Sequence, residues 1–273
     1  MEVSLSSPSN SLRRCSWSTA AATALFAVVA LVACSNEDTQ RGPVGLDPVG
    51  PVGDETGIPG SGNIVGEVRD VGPFAEIVFD SEGAVAVSRT EEASLIIEAD
   101  DNLMEYLLAT VSGNVLEIST TDGVDIAPSK PPIFRIGTRD LAAIDLAGAG
   151  AIDVDAAGAS HFDVTLSGAG DVTVDPVETG ELVLDLHGSG SVSLAGSADQ
   201  LRATIAGATN LAAANLEVRV ATINASASGQ AIVWVSDELE VVASDAASVE
   251  YYGTPSVTEE VSGAASVVQL GAR

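Results

Sequence analysis

Short runs of alternating hydrophobic and polar residues recur along the chain from about residue 63 onward. In one such run, Phe162, Val164 and Leu166 fall on one face and the intervening polar residues on the other. This period of two is typical of a β-strand with one buried face. Gly, Ser and Asp interrupt the runs, as expected for many short strands joined by tight turns. The pattern predicts a single all-β domain over residues 63–273.

The alternation returns at a nearly constant interval after residue 141. The hydrophobic residue before each small-residue turn falls at Leu146, Leu166, Leu186, Ile205, within 223–227, and at Ala243 and Val261. A repeat with this period of about 19–20 residues, built from strands, indicates a solenoid. The leucine-rich pattern LxxLxL with its Asn or Cys is missing. A parallel β-helix, with coils about 4.8 Å apart, fits best.

A triplet of small residues lies at each of the first four turns: GAG at 148–150 and 168–170, GSG at 188–190 and GAT at 207–209. The same turn position stacks on its copies in a β-helix, so we expect small residues there, often with positive φ. A phosphate-binding glycine loop would need GxGxxG between a strand and a helix, and no helical pattern follows. The triplets are predicted to be Gly/Ala/Ser corners. Later copies have Thr209, Ala227 and Ala246 at the second glycine, so those corners are expected to be less regular.

The segment 63–140 contains irregular strands before the repeat coils of 141–273. Within it, the stretch DDNLMEYLL (100–108) predicts one short helix, capped by an Asp or Asn, with Leu103 and Leu107 on one face.

Residues 1–33 have the features of a secretory leader. Two arginines precede an apolar run over 19–33, which is too short for a comfortable membrane span. The run ends in Leu-Val-Ala followed by Cys34, which resembles the bacterial lipoprotein signal; an ordinary signal peptide with an incidental Cys is the alternative. Residues 34–62 are rich in Pro and Gly and predict an acidic tether. Cys34 is the expected lipidation site.

The charge balance excludes one class of partner. The chain has 39 acidic and 11 basic residues, a formal net charge of −28. Nucleic-acid binding needs a basic face that displaces counterions, so no nucleic-acid partner is expected. Attachment to anionic lipid through surface charge is disfavoured for the same reason, which leaves a lipid anchor as the expected contact with the membrane.

Candidate catalytic chemistry is sparse. His161 and His187 occupy different registers of the repeat and do not have metal-ligand spacing. Asp100 and Asp101 form a paired carboxylate of the kind a glycosidase uses, but they coincide with the predicted helix start. No catalytic residue and no cofactor are predicted.

Two weaker binding candidates follow from the repeat. Asp155 and Asp175 share one register, so stacking would bring them about 5 Å apart, where a calcium ion would relieve their repulsion. Solvated turn carboxylates are the alternative for this pair. The clustered aromatic residues Trp234, Tyr251 and Tyr252 are candidates for sugar stacking or for core and cap positions.

The repeat motifs resemble a known bacterial family. The segments LSGAGDVTV, LHGSGSVSL, YYGTPSV and RDVGPFAEIVF are similar to the GIN domain, the head domain of a proposed auto-transporter adhesin family, otherwise of unknown function. The resemblance covers about 63–270. It implies a right-handed, β-helix-like fold and a surface or envelope location, and it brings no catalytic residues. No translocation barrel follows before Arg273, so anchoring is expected through Cys34.

Together these patterns predict a lipid-anchored protein of the bacterial cell envelope, in the outer membrane, that acts as a non-catalytic binding, adhesion or scaffold module. Its ligand would be an unidentified surface glycan or protein. A β-helix hydrolase or lyase acting on polysaccharide is the alternative function.

Overall fold

A computed structural model describes residues 57–155 and 157–273, and strands make up most of this part of the chain. The strands are β1 (Ile58–Pro59), β2 (Ile64–Arg69), β3 (Glu76–Asp80), β4 (Glu82–Arg89), β5 (Ser94–Asp100), β6 (Leu107–Ser112), β7 (Val115–Thr120), β8 (Ile126–Ala127), β9 (Ile133–Thr138), β10 (Ala143–Leu146), β11 (Ala149–Asp155), β12 (His161–Leu166), β13 (Ala169–Leu186), β14 (Ser189–Ala227), β15 (Gln230–Ala243), β16 (Ser248–Tyr252), β17 (Ser256–Val261) and β18 (Ser266–Gly271). The predicted leader, Cys34 and most of the tether lie outside the described residues. The folded part takes in residues 57–62, which the sequence analysis assigns to the tether.

The repeat region is a parallel β-solenoid of about six turns, as predicted. Strand β10 pairs with β12 and β12 with β13, and the pairing continues through β14 and β15 to β16, β17 and β18, always in parallel. Leu146, Leu166, Leu186 and Ile205 form one column of this stack. Because every coil pairs with the next, the backbone polar groups of the interior coils find partners within the stack.

The coils shorten along the stack. Leu146 pairs with Leu166 and Leu166 with Leu186, so each early step advances the residue number by 20. Ala225 pairs with Ala243 and Ala243 with Val261, so each late step advances it by 18. The unclear copy within 223–227 is thus centred on Ala225, and the average period conceals two coil lengths.

Each coil has three sides. In the coil of residues 161–180, the first side contains Phe162 and Leu166, the second contains Val172 and Val174, and the short third side contains Val177; all five side chains are fully buried. Strand β13 continues through the second and third sides into the first side of the next coil. The predicted alternation of buried and outward residues is confirmed, because inward residues from all three sides form one continuous core.

The glycine triplets lie at the corner between the first and second sides, as predicted, and the expected close stacking of the copies is confirmed. Positive φ occurs at Gly190 and Gly207 but does not explain Gly148, Gly168 or Gly188. Instead, a Cβ on Gly168 would fall on the carbonyl oxygen of Gly148, and one on Gly188 would fall on that of Gly168. Backbones of neighbouring coils approach too closely here for any side chain. We call this column the glycine corner stack.

The same corner has another form in the later coils. There it is a four-residue turn, formed by 226–229, 244–247 and 262–265, in which the fourth N–H donates to the first carbonyl. The second residue of each turn has positive φ: Ala227 at 57°, Asp245 at 58° and Gly263 at 71°. We call this column the turn corner stack. Its regularity differs from the expectation of less regular late corners.

One coil of the solenoid was missed in the sequence. Strands β3 and β4 pair in parallel with β10 and β11, so that Phe79 stacks on Leu146 and Val85 on Ile152. Residues 90–142 separate this first coil from its neighbour in the stack. They supply β5, β6 and β7 with β9, which extend the sheets, partly through antiparallel pairs, and place Phe134 edge-on to Phe79 at 5.3 Å between ring centroids.

The predicted short helix is reduced to one 3₁₀ turn over Met104–Tyr106. Asp100 is the last residue of β5 and Leu107 the first of β6. No side chain caps the turn, so the predicted Asp cap is wrong. Leu103 and Leu107 are buried, which explains why their spacing looked helical: a tight reversal places both on the core. No helix among the described residues is long and apolar enough to cross a membrane.

The last coil has a partly polar inner face. Val257, Glu259 and Val261 continue the columns of Leu239, Val241 and Ala243, which are fully buried. All of strand β17 is exposed. Among the described residues no further coil covers this end.

Candidate functional site

A groove runs along the third sides of successive coils. Its volume is about 640 Å³, and its lining is mostly small or polar: Gly158, Ala159, Ser160, Glu178, Thr179, Gly180, Ser197, Ala198, Asp199, Glu217, Arg219 and Ser236. The groove exists because the third side is short and its outward residues are small. We call it the third-side groove. Its extent over several coils suits an extended ligand rather than a compact one.

The charges of the third-side groove are arranged along the stack. Arg219 lies between Asp199, at 3.9 Å, and Asp237, at 3.7 Å, each on a neighbouring coil. All three side chains are more than half exposed, so these ion pairs contribute little to stability. Glu178 and Glu217 add two further carboxylates to the lining. The groove therefore offers charged and hydrogen-bonding groups that a ligand can engage without breaking a buried network.

A second feature is an aromatic pair on the second side of the late coils. Trp234 of β15 and Tyr252 of β16 are in register, and both are half-buried. The guanidinium of Arg273 lies 5.3 Å from each ring centroid, and its Nη2 donates to Oδ1 of Asn215 at 2.9 Å. Tyr251 instead packs against the core. We call Trp234, Tyr252 and Asn215 the aromatic platform.

The paired carboxylates Asp100 and Asp101 serve the fold. Asp100 is fully buried and accepts hydrogen bonds from the N–H of Gly62, at 2.7 Å, and from the N–H and hydroxyl of Ser129, at 2.8 and 2.7 Å. Asp101 accepts from the Ser61 hydroxyl and from Asn63. The two carboxylates hold the segment 61–63 against the end of β5.

The pKa values of both carboxyls reflect these contacts. The Ser129 hydroxyl is the main cause that lowers the pKa of Asp100 below its usual range. The Ser61 hydroxyl has the same effect on the pKa of Asp101. A general acid needs a raised pKa, so neither carboxyl has the electrostatics of a glycosidase acid.

One carboxyl behaves in the opposite way. Burial is the main cause that raises the pKa of Asp145, and the neighbouring Asp80 carboxylate raises it further. Its Oδ1 is buried and has no hydrogen-bond partner among the described residues. Asp145 lies on the outer face of the first side, in register with Thr165. In the described part of the chain, no third His, Cys, Asp or Glu side chain completes a metal-binding group around it.

The two histidines do not come together in one site. His161 contacts Asp163 through Nε2 at 3.0 Å and Glu181 through Nδ1 at 3.3 Å. His187 lies at a corner, where its backbone N–H donates to the backbone carbonyl of Leu166. The contacts of His161 are thus with carboxylates of its own strand and of the neighbouring coil, both on the first side.

The weak calcium candidates lie where the second side of a coil ends, Asp155 at the end of β11 and Asp175 within β13. Asp175 follows Val174, and both aspartates are exposed. The pairing of Val154 with Val174 keeps the two residues in neighbouring coils. Within the described residues, no three His, Cys, Asp or Glu side chains form a group that could hold a metal ion.

Sequence reasoning missed the third-side groove and the contact of Arg273 with the rings. A signal for the second feature was present: Trp234 and Tyr252 are separated in sequence by one late coil, which places them side by side on the same face. The groove had no such signal, because small outward residues are not part of the hydrophobic pattern.

Comparison with known proteins gives one family and several similar folds. The sequence pattern of the family described as putative auto-transporter adhesin, head GIN domain, matches residues 73–255, about two thirds of the chain. No curated protein matches this chain.

Three crystal structures are similar in fold, at identities that are informative about fold alone. A putative adhesin from Bacteroides fragilis has a TM-score of 0.72 and 19% identity, with 79% of this chain and 100% of that chain covered. A putative lipid binding protein from Parabacteroides distasonis has a TM-score of 0.66 and 19% identity, covering 78% and 99%. A putative adhesin from Parabacteroides merdae has a TM-score of 0.63 and 17% identity, covering 78% and 98%.

Proposed function

The chain belongs to the family of putative auto-transporter adhesin head GIN domains, and we propose that it is a non-catalytic binding module held in the bacterial envelope by a lipid on Cys34. The family and its structural neighbours support an adhesion-type protein of the surface or envelope. The finer statements are that it binds without chemical turnover, that Cys34 carries the lipid, and that the outer membrane is its destination.

The third-side groove is the observation that carries the binding function. It offers about 640 Å³ of concave surface across several coils, with small residues that let a ligand approach the backbone. Its charged groups are exposed and only weakly paired. Such a surface suits an extended polymer, a surface glycan or a protein segment, which gains many weak contacts over several coils.

The lipid anchor is supported by the position of Cys34. It follows the apolar run 19–33, and it is one of two cysteines in the chain, the other being Cys15 within the leader. Each buried CH₂ of an acyl chain contributes about 0.8 kcal/mol, so two or more chains hold a protein stably without a basic patch. Ser35, rather than an Asp, follows the Cys, which favours onward sorting to the outer membrane.

A blocking variant tests the binding function. Ser197 is exposed inside the third-side groove, whereas Gln200 is exposed at the start of the first side of the next coil. We expect Ser197→Trp to weaken adhesion of cells displaying the full chain to arrays of glycans and matrix proteins, and Gln200→Trp to leave it unchanged. Equal adhesion by both variants and the unaltered chain would place binding outside the groove.

Substitution of the cysteine tests the anchor. Cys34→Ser should move the protein from the membrane fraction to the soluble fraction, with an unchanged thermal melt, because the tether separates Cys34 from the folded part. The released protein should bind an array while the cells that produced it do not adhere. Retention of Cys34→Ser in the membrane fraction would exclude Cys34 as the only anchor.

The alternative, a polysaccharide hydrolase or lyase, is tested with the same arrays. Release of reducing ends or unsaturated sugars from a bound polysaccharide would show turnover and reject the non-catalytic function. Binding without release supports it.

A further inference from the structure

The aromatic platform points to a second binding site, separate from the third-side groove. We propose that Trp234, Tyr252 and Asn215 form a receptor for an arginine side chain of a partner protein, and that Arg273 occupies this receptor in the free chain. The basis is one set of contacts: a guanidinium 5.3 Å from the centroids of two neighbouring rings, with an Nη2 donating to the amide oxygen of Asn215 at 2.9 Å.

The chemistry of the platform favours a guanidinium over an ammonium or a sugar. A planar guanidinium stacks on aromatic faces and still directs its N–H groups sideways to an acceptor. Asn215 supplies such an acceptor beside the rings. A lysine ammonium is more strongly hydrated and has no plane to stack. A neutral sugar would gain nothing from the charge around the site.

The surrounding charge favours a basic partner. From residue 234 to the end of the sequence there are seven acidic residues, while Arg273 is the one basic residue. Glu250 belongs to the same strand as Tyr252. A field of one sign raises the local concentration of oppositely charged ligands and speeds their association. A segment that presents arginine is therefore drawn to this end of the solenoid.

The surface beside Asn215 continues the site. A shallow pocket of about 200 Å³ lies next to it, lined by Thr173, Val174, Asp175, Ser193, Leu194, Ala195, Ala212 and Asn215. The exposed carboxylate of Asp175 stands at one side of this pocket. An extended segment with its arginine on the platform would run across the pocket, where Asp175 can accept a second basic residue.

Arg273 competes with an arginine of the partner for the aromatic platform. A group tethered to its own receptor acts at an effective concentration in the millimolar range, so an incoming arginine must displace it. A partner with several arginines, or one held nearby by the third-side groove, meets this requirement. Removing Arg273 should therefore increase the apparent affinity for a basic ligand, the opposite of what the loss of a structural contact would do.

The experiment uses the fluorescence of Trp234. The sequence contains two tryptophans, Trp234 and Trp17, and Trp17 lies in the predicted leader; Trp17→Phe leaves Trp234 as the one reporter even where the leader is retained. The probes are a blocked tripeptide of arginine, the matching tripeptide of lysine, and a neutral tetrasaccharide of glucose. Each is titrated into the Trp17→Phe chain in detergent, with and without Arg273→Ala. Arg202→Ala, which removes an exposed arginine on the first side of an earlier coil, is the matched control.

We expect Arg273→Ala to shift the emission of Trp234 and to lower the half-saturating concentration of the arginine tripeptide by about 10-fold. The lysine tripeptide should bind more weakly, added salt should weaken both, and Arg202→Ala should behave as the unaltered chain. In the Arg273→Ala background, Tyr252→Phe should retain binding and Tyr252→Leu should lose it. A thermal melt of each variant confirms that it is folded.

Three results would each overturn the proposal. The first is that the arginine and lysine tripeptides change the emission of Trp234 equally, and the second is that the tetrasaccharide changes it as much as the arginine tripeptide does. The third is that Arg273→Ala gives no gain in affinity for the arginine tripeptide. The site is independent of the third-side groove: loss of cell adhesion on Ser197→Trp with unchanged tripeptide binding keeps the two functions apart.

Discussion

The two corner stacks solve the same geometric problem in different ways. In the glycine corner stack the backbone passes so close to the coil below that a Cβ on Gly168 would fall on the carbonyl oxygen of Gly148. In the turn corner stack a four-residue turn leaves room for a side chain and instead places one residue at positive φ, as at Ala227 and Asp245. The first solution is limited by space and the second by backbone conformation. The change coincides with the shortening of the coils along the stack.

The largest expected effect tests the limit on space. Gly168→Val should lower the free energy of unfolding by more than about 3 kcal/mol, because the obstructing atoms are backbone and cannot move without opening the stack. Ala169→Ser, at the next and exposed position, should stay within about 0.5 kcal/mol of the unaltered chain. Chemical denaturation followed by circular dichroism measures both. Equal stability of the two variants would mean that the coils can separate at this corner without loss.

A smaller effect tests the side chain that the turn corner stack uses. The Oδ2 of Asp245 accepts from the N–H of Ala227 at 3.2 Å across the two coils, and Asp tolerates positive φ better than Ala. Asp245→Ala should therefore cost about 1 kcal/mol, whereas Asp245→Asn, which keeps an acceptor and the same tolerance, should be nearly neutral. The difference between the denaturation midpoints of Asp245→Ala and Asp245→Asn measures this effect. A loss for Asn that equals the loss for Ala would show that the charge of Asp245, and not its conformation or its acceptor, matters here.

The smallest effect tests the limit on conformation. A left-handed residue other than glycine costs about 1–2 kcal/mol, while glycine costs about 0.5–1 kcal/mol in chain entropy. Ala227→Gly should therefore stabilise the fold by about 0.5 kcal/mol, the reverse of any change that enlarges Gly168. Thermal melts at matched concentration give the sign. Destabilisation by Ala227→Gly would mean that positive φ is not what limits the turn corner stack, and the proposed difference between the two corner stacks would be wrong.

These differences also explain what the sequence could and could not predict. The alternation of Phe162, Val164 and Leu166 predicted the solenoid, because stacking buries one face of every coil in the same way. The triplets predicted the corners and the stacking of their copies, but not which glycines are required by the close approach of two backbones and which by positive φ, because both select glycine. The first coil, β3 and β4, was missed because its partner in the stack follows only after residues 90–142.

The candidate site was less accessible to sequence reasoning than the fold. Asp100 looked like a helix cap beside Asp101, and only the fold brings Gly62 and Ser129 to its carboxylate. The lining of the third-side groove consists of small and polar residues, which have no periodic hydrophobic pattern that would mark them in the sequence. The aromatic platform depends on Arg273, which is distant in sequence from both rings and has no counterpart in the repeat.

Glu259 has a consequence for how long such a rod can become. It occupies a column in which the preceding residue, Val241, is fully buried, so another coil or another molecule added at this end would cover its carboxylate. Transfer of an unpaired carboxylate out of water is costly enough to oppose such an addition. A stack of parallel coils otherwise has no natural stopping point, and its open edge can recruit further strands until a fibre forms. Internal coils could therefore be duplicated to lengthen the solenoid while the carboxylate of Glu259 still opposes stacking of a second molecule on this end.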